Sequence, residues 1–184
     1  PLVIDADALN LLAADGALME LLRNRKAPSV LTPHPGEAGR LLHLSNQTIQ
    51  ADRVTAINTL VKKTKSVCVL KGSGSLVASP EHAPEICKAG NPGMATAGMG
   101  DVLTGIVAAL IGQGIRNKLS ALDATRLAVL LHAMAADSLV SKGIGPIGLT
   151  ALEVAHEVRQ LINHYAEHTS ITDTDGLAFL LDSP

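Results

Sequence analysis

The chain has 184 residues, of which 47% are hydrophobic, and a formal net charge of −2. This size and composition predict one domain with an aliphatic core, and the lack of excess positive charge argues against binding to nucleic acid or to an anionic membrane. No apolar run reaches the roughly 18 residues of a membrane span, no signal peptide is recognisable, and Cys68 and Cys87 form neither a disulfide framework nor a metal motif, which favours a cytoplasmic protein.

The first predicted element is a buried strand at residues 2–4, on which the chain opens without a Met. This start indicates the C-terminal part of a longer polypeptide. Asp5, Asp7 and Asn10 follow at the carboxyl end of the strand, which is the edge where open α/β sheets bind ligands. Their oxygens could hold Mg²⁺-bound water or substrate hydroxyls, or Asp7 could cap the next helix while Asn10 packs locally. The leucines of residues 9–22 predict one helix interrupted in its middle, or two short ones.

A second strand is predicted at residues 30–32, and it runs into the segment Pro-His-Pro-Gly-Glu at residues 33–37. The two prolines fix the backbone on either side of His34, as a positioned functional side chain requires. Glu37 could favour the start of the next helix, at about residues 38–42, or it could orient a metal-bound water.

A glycine-rich hairpin is predicted in the middle of the chain, after one amphipathic helix over residues 45–63 and a buried strand at residues 67–70. Its loop consists of Lys71, Gly72, Ser73, Gly74 and Ser75. The N–H groups, hydroxyls and ammonium of this loop suit the phosphates of a nucleotide, although the residue order of a Walker P-loop is missing. A return strand at residues 76–78 and a short strand at residues 85–87 follow.

The most informative segment is a second glycine-rich loop at residues 91–98, which leads into an apolar helix predicted to extend to about Gly114. The N-terminus of such a helix offers free N–H groups and a positive dipole end to an anion, usually phosphate. Gly98 and Gly100 would let the backbone turn and approach the ligand, with Asp101 beside it. Alternatively, Asp101 is only a helix cap and the glycines only shape the loop.

The last third of the chain predicts mainly helix. Residues 119–140 form a long, deeply packed helix, in which His132 is a core or interface residue. A flexible loop at residues 143–148 could border the nucleotide site. A capping box at Thr150 and Glu153 then opens a helix to about His164. We expect residues 1–166 to belong to the domain and residues 167–184 to form a tail that is mobile or docked.

Strands that alternate with helices predict a three-layer α/β fold with a mainly parallel sheet. Two motifs are similar to those of a known family: Thr-Pro-His-Pro-Gly-Glu at residues 32–37 and Asn-Pro-Gly-Met-Ala-Thr-Ala-Gly-Met-Gly-Asp at residues 91–101. They resemble the ADP- or ATP-dependent NAD(P)H-hydrate dehydratases, which are ribokinase-like and related to the C-terminal half of the bifunctional nicotinamide-nucleotide repair proteins. The resemblance covers roughly residues 2–163.

This resemblance implies a carbon–oxygen lyase that restores NADH or NADPH from its hydrate. Such enzymes phosphorylate the ring hydroxyl with ADP or ATP in the presence of Mg²⁺, and phosphate is then eliminated. Asp101 would take the hydroxyl proton, and His34 and Asn10 would join it in binding the substrate. The adenine nucleotide would lie on Lys71, Gly72, Ser73, Gly74, Ser75, Gly98 and Gly100, and Glu37 would help to organise Mg²⁺ indirectly.

Two other functions share these features. A ribokinase-like kinase for a small molecule such as a vitamin precursor would use the same loop and Asp101, although His34 stands where those kinases have Asn. A non-catalytic nucleotide-binding fragment is the third possibility. Because the family's domain begins before Pro1, we expect a further segment of the same protein or a homo-oligomer to complete the sheet, which would otherwise expose a large apolar face.

Overall fold

Five strands form one mixed sheet in a computed structural model that describes residues 1–117 and 119–168. The strands are β1 (Leu2–Ile4), β2 (Ser29–Leu31), β3 (Val67–Leu70), β4 (Leu76–Ser79) and β5 (His82–Ile86), and this is also their order across the sheet. β1, β2 and β3 are parallel to one another, whereas β4 is antiparallel to both β3 and β5. The predicted α/β class is confirmed, but only two of the four pairings are parallel because the hairpin adds two antiparallel ones.

Helices cover both faces of the sheet. They are α1 (Asp7–Ala14), α2 (Gly16–Arg23), α3 (Pro35–Leu42), α4 (Asn46–Ala51), α5 (Arg53–Thr64), α6 (Met99–Asn117), α7 (Ala121–Ser141) and α8 (Ala151–His168). Alternate strand residues point to opposite faces. Ile4, Leu31 and Leu70 pack against α1 to α5, whereas Val30 and Val69 pack against α6 and α7. This alternation produces the predicted three layers.

Several predicted helices begin or end elsewhere than expected. The predicted helix over residues 45–63 is two helices, because Asp52 leaves helical geometry and accepts a hydrogen bond from the N–H of Thr55 at 2.9 Å, which caps α5. In the same way Asp15 caps α2, so α1 and α2 are the two short helices that the sequence allowed. α6 continues to Asn117, past Gly114, where the sequence predicted its end.

The C-terminal helices agree with the sequence. Thr150 and Glu153 form the predicted capping box, with the Thr150 N–H donating to Glu153 Oε2 at 2.8 Å and the Glu153 N–H to Thr150 Oγ1 at 3.3 Å. His132 is a core residue, and burial lowers its pKa to about 4. The predicted tail lies outside the described residues, apart from residues 167 and 168, which end α8. In the described ranges, none of the helices has the length and apolarity needed to cross a membrane.

Candidate active site

The ends of the three parallel strands bring three polar residues to one edge of the sheet. Asp5, Thr32 and Lys71 come soon after β1, β2 and β3. Backbone hydrogen bonds continue the sheet pairing past the strands, from the Thr32 N–H to the Ile4 carbonyl at 3.1 Å and from the Lys71 N–H to the Pro33 carbonyl at 2.9 Å. The side chains that follow these strands are therefore held by the sheet itself.

Asp5 links this edge to α6. Lys71 Nζ lies 2.8 Å from Asp5 Oδ1, and the Thr104 hydroxyl donates to Asp5 Oδ2 at 2.6 Å. Burial opposes ionisation of Asp5, but the hydrogen bonds from Lys71 and Thr104 and the positive charge of Lys71 outweigh it, so its pKa lies below the ordinary value. Asp5 is therefore a carboxylate at neutral pH, and it connects β1 to β3 and α6.

His34 and Glu37 form a capping box at the start of α3. His34 Nδ1 accepts a hydrogen bond from the Gly36 N–H at 3.0 Å, and Glu37 Oε2 accepts one from the His34 N–H at 2.7 Å. Because Nδ1 is an acceptor, the neutral His34 ring carries its proton on Nε2, 3.4 Å from Glu37 Oε1. Half of the His34 side chain is exposed, so its Nε2–H can reach a ligand, whereas Glu37 is buried 3.9 Å from Lys71 Nζ.

The glycine-rich hairpin loop is shaped by Arg53, the first residue of α5. Its guanidinium donates to the carbonyls of Ser73 at 3.0 Å, Leu70 at 3.0 Å and Gly74 at 3.1 Å. Gly72 and Gly74 have φ values of +145° and +68°, which let the loop turn its carbonyls towards Arg53. Within the described residues, the N–H groups of Gly72, Ser73 and Gly74 donate no hydrogen bond, so they remain available to an anion.

The second glycine-rich loop ends at the N-terminus of α6. Gly98, with φ +85°, turns the chain into the helix, and the N–H groups of Gly98, Gly100 and Asp101 donate no hydrogen bond to any described residue. A Cβ atom on Gly100 would lie 3.1 Å from Lys71 Nζ and 4.0 Å from Asp5 Oδ2. The Lys71 ammonium thus lies beside Gly100, at a helix N-terminus that offers three free N–H groups and a positive dipole end, and together these groups suit a phosphate.

Asp101 lies in the first turn of α6 and is exposed. No hydrogen bond or ion pair ties its carboxylate to another residue of the described ranges. It does not cap α6 with its side chain, so its oxygens are free to act on a ligand bound at this helix N-terminus.

The structure brings some of the predicted site residues together more directly than others. Lys71 and Gly100 are adjacent, and contacts through Glu37 join them to His34. Asn10 accepts a hydrogen bond from Arg40 Nε at 2.6 Å and lines a groove of about 610 Å³ that also borders Gly36. Ser75 turns its hydroxyl back to the Gly72 carbonyl at 3.2 Å, in the part of the hairpin loop that packs towards β5.

Three residues of this region were not identified from the sequence. The hydroxyl oxygens of Thr104 and Thr32 lie 3.4 Å apart between α6 and the sheet. The sequence signal that could have identified them is a polar residue within an otherwise apolar pattern. The third is Arg53, whose position at a helix N-terminus, the unfavourable end of the dipole for a cation, becomes visible only with the break at Asp52.

Comparison with known proteins identifies the family. Residues 1–160 match the family described as NAD(P)H-hydrate dehydratase. The chain belongs to the NAD(P)H-hydrate dehydratase family. It is 45% identical over 163 residues to the bifunctional NAD(P)H-hydrate repair enzyme Nnr of Coxiella burnetii, covering 89% of this chain and 31% of that protein. It is 41% identical over 163 residues to the ADP-dependent (S)-NAD(P)H-hydrate dehydratase of Neisseria meningitidis, covering 89% of this chain and 53% of that one.

A family member of known structure has the same fold. The ADP/ATP-dependent NAD(P)H-hydrate dehydratase of Bacillus subtilis, co-crystallised with ATP and Mg²⁺ and soaked with CoA, superposes with a TM-score of 0.73 at 25% identity. The alignment covers 89% of this chain and 56% of that one. A ribokinase-like superfamily protein of Enterococcus faecalis also superposes, with a TM-score of 0.70 at 26% identity over 89% of this chain and 52% of that one, which confirms the ribokinase-like fold. The chain spans about half or less of the length of these dehydratase-family relatives.

Proposed function

We propose that the protein dehydrates NAD(P)H hydrate, using ADP or ATP to phosphorylate the ring hydroxyl before phosphate is eliminated. The observation that carries this proposal is the N-terminus of α6. There the Lys71 ammonium and the free N–H groups of Gly98, Gly100 and Asp101 lie beside an unpaired carboxylate. Family membership supports the choice of substrate, and the name of the Neisseria relative supports ADP as the phosphoryl donor.

The residues divide the chemistry between them. Asp101 accepts the proton of the ring hydroxyl while the hydroxyl oxygen attacks the terminal phosphorus of the nucleotide. The free N–H groups at Gly98 and Gly100 stabilise the charge on the transferred phosphoryl group. The remaining phosphates lie on the N–H groups of the hairpin loop, and His34 Nε2–H donates to the substrate. Phosphate then leaves with the electrons of the C–O bond, and the adjacent ring carbon loses a proton to restore the double bond.

Mg²⁺ fits this site as a companion of the nucleotide. Among the described residues, no group of three or more His, Cys, Asp or Glu side chains is placed to hold a metal ion. Mg²⁺ commonly binds through one or two carboxylates together with substrate phosphates and water, and it needs no all-protein cage. Glu37 would act on it through water, as the resemblance implies, and the ion would neutralise charge on the phosphates.

The test is a recovery assay with NADH hydrate, Mg²⁺ and either ADP or ATP, following reduced-nicotinamide absorbance and phosphate release together. Asp101→Asn should lower kcat by at least about 100-fold while ADP still binds, because a general base contributes about 10²–10⁴-fold. Asp123→Asn, in the first turn of α7, is the matched control for loss of a helix-terminal charge and should keep its kcat. An active Asp101→Asn enzyme would contradict the role of Asp101.

The same assay separates the alternative functions. A small-molecule kinase would leave a stable phosphorylated product and no free phosphate, and a non-catalytic fragment would bind ADP without turnover.

We also propose that the protein works in the cytoplasm and in association with a further segment or a second copy. Exposed Leu11 and Leu21 and the position of β1 at the sheet edge support association, which light scattering can measure.

A further inference from the structure

The loop that precedes α6 is tied at its start to a carboxylate on α7. Asp137 Oδ2 accepts a hydrogen bond from the Gly90 N–H at 2.7 Å, and Asp137 Oδ1 accepts one from Asn91 Nδ2 at 2.8 Å. Residues 90 and 91 lie 47 and 46 positions from Asp137 in the chain. No basic side chain is bonded to Asp137 in the described ranges. Both of its oxygens therefore serve the start of this loop.

From Asn91 a series of contacts runs along the loop. Asn91 Oδ1 accepts the Gly93 N–H at 3.0 Å, and the Gly93 carbonyl accepts the Thr96 hydroxyl at 2.9 Å. Gly93 is buried so tightly that a Cβ atom would lie 2.5 Å from the Pro146 carbonyl oxygen. The loop thus has little freedom between Asp137 and the turn at Gly98.

α7 is a rigid support for this contact. The residues around Asp137 on the helix, including Ala135, Ala136 and Leu139, are buried in the cluster that also holds Met99, the first residue of α6. The helix that carries Asp137 and the start of α6 are therefore parts of one packed unit. A carboxylate fixed on that unit can set the course of the loop between them.

We propose that Asp137 is a positioning residue that fixes the loop and thereby aims the N–H groups of Gly98, Gly100 and Asp101 at the phosphoryl group. Its kinetic consequence rests on the proposed function. Asp137→Asn places an amide where two donors converge, so one donor loses its acceptor. Because a misplacement of about 1 Å can cost about 100-fold in rate, we expect kcat to fall by about 10- to 100-fold. KM for NADH hydrate should change far less.

An exchange of the two side chains tests the contact itself. Asn91→Asp alone brings two carboxylates together, and Asp137→Asn alone brings two amides together. In the double variant the amide at 137 donates to the carboxylate at 91, while the Gly90 and Gly93 N–H groups keep their acceptors. We expect the double variant to recover most of the kcat that either single variant loses.

Ser138→Ala is the control, because the Ser138 hydroxyl donates to Glu157 Oε1 at 2.7 Å and joins α7 to α8, away from the loop. It should lower Tm without lowering kcat, measured well below Tm. The proposal is overturned if Asp137→Asn changes only Tm, as Ser138→Ala does, or if the exchange restores Tm without restoring kcat.

A wild-type chain with no turnover would count against the proposed function of this chain and would leave the loop to be tested by binding. The readout is then the increase in Tm on adding ADP alone. Loss of that increase in both single variants and its return in the double variant supports the positioning role. An equal increase in all four proteins overturns it.

Discussion

The ion pair between Asp5 and Lys71 yields the sharpest prediction. The Asp5 side chain is 9% exposed and that of Lys71 18% exposed, so the pair is largely removed from water. Asp5→Asn keeps the shape and lets the Thr104 hydroxyl rotate to accept, but it replaces the ion pair with Lys71 by a hydrogen bond in which only the ammonium is charged. A hydrogen bond to a charged group contributes about 1.5–3 kcal/mol, and the loss of one of the two charges removes part of this, so we expect a loss of about 1–2 kcal/mol. For a domain of this size, that lowers Tm by about 2–8 °C.

The pH dependence of this loss is equally specific. A carboxylate whose pKa is lowered by folding stabilises the protein above its unfolded pKa, and the stabilisation disappears as the pH falls through the folded pKa. The pKa of Asp5 lies below its ordinary value of 3.8. The difference in the free energy of unfolding between wild type and Asp5→Asn should therefore be constant from pH 5 to pH 8 and shrink only below about pH 4.

Thermal and urea unfolding across this pH range provide the measurement. Asp15→Asn is the matched control, since asparagine caps a helix about as well as aspartate and should leave Tm unchanged. Two results would refute the reasoning. One is an Asp5→Asn protein as stable as wild type at pH 7, and the other is a difference that changes between pH 6 and pH 8, where histidines titrate.

Two further substitutions test the phosphate site. Gly100→Ala should place a methyl group at the phosphate site, against the Lys71 ammonium, which must shift by a few tenths of an ångström, and should lower kcat about tenfold or more. Its Tm should change little, because the end of a lysine is flexible. Gly105→Ala, where a Cβ would meet no atom within 4 Å, should keep kcat and stabilise α6 by about 0.5–1 kcal/mol. Arg53→Lys should raise the Kd for ADP, measured by calorimetry, because an ammonium cannot reach the several carbonyls that the planar guanidinium holds. An unchanged Kd would refute that role.

Local patterns in the sequence predicted the architecture. The apolar run at residues 67–70, the glycines after it and the return strand predicted the β3–β4 hairpin, because each signal acts over a few neighbouring residues. The capping box at Thr150 likewise predicted the start of α8. The break at Asp52 was missed although it is also local, because the apolar pattern runs across it and the cap becomes visible only in the geometry.

The contacts within the site were less accessible to sequence reasoning. Lys71 was predicted to bind phosphate, but its partner Asp5 is 66 residues away, and Thr104 is 99 residues from Asp5. Such pairs depend on which strand ends become neighbours, and periodicity does not specify that. The general position could be predicted, because parallel strands end at one edge, whereas the partners required the packed structure.

The geometry of Lys71 explains how its charge can serve both the fold and a ligand. An ammonium has three donors. Asp5 takes one at 2.8 Å, and Glu37 Oε2 at 3.9 Å is too far for a hydrogen bond. Two donors therefore remain while the ion pair is intact, and Gly100 leaves room for them at the start of α6. Asp5 thus holds the ammonium in place without exhausting it. Replacing Lys71 itself should remove the phosphate contact, whereas Asp5→Asn should leave the cation present but less firmly positioned.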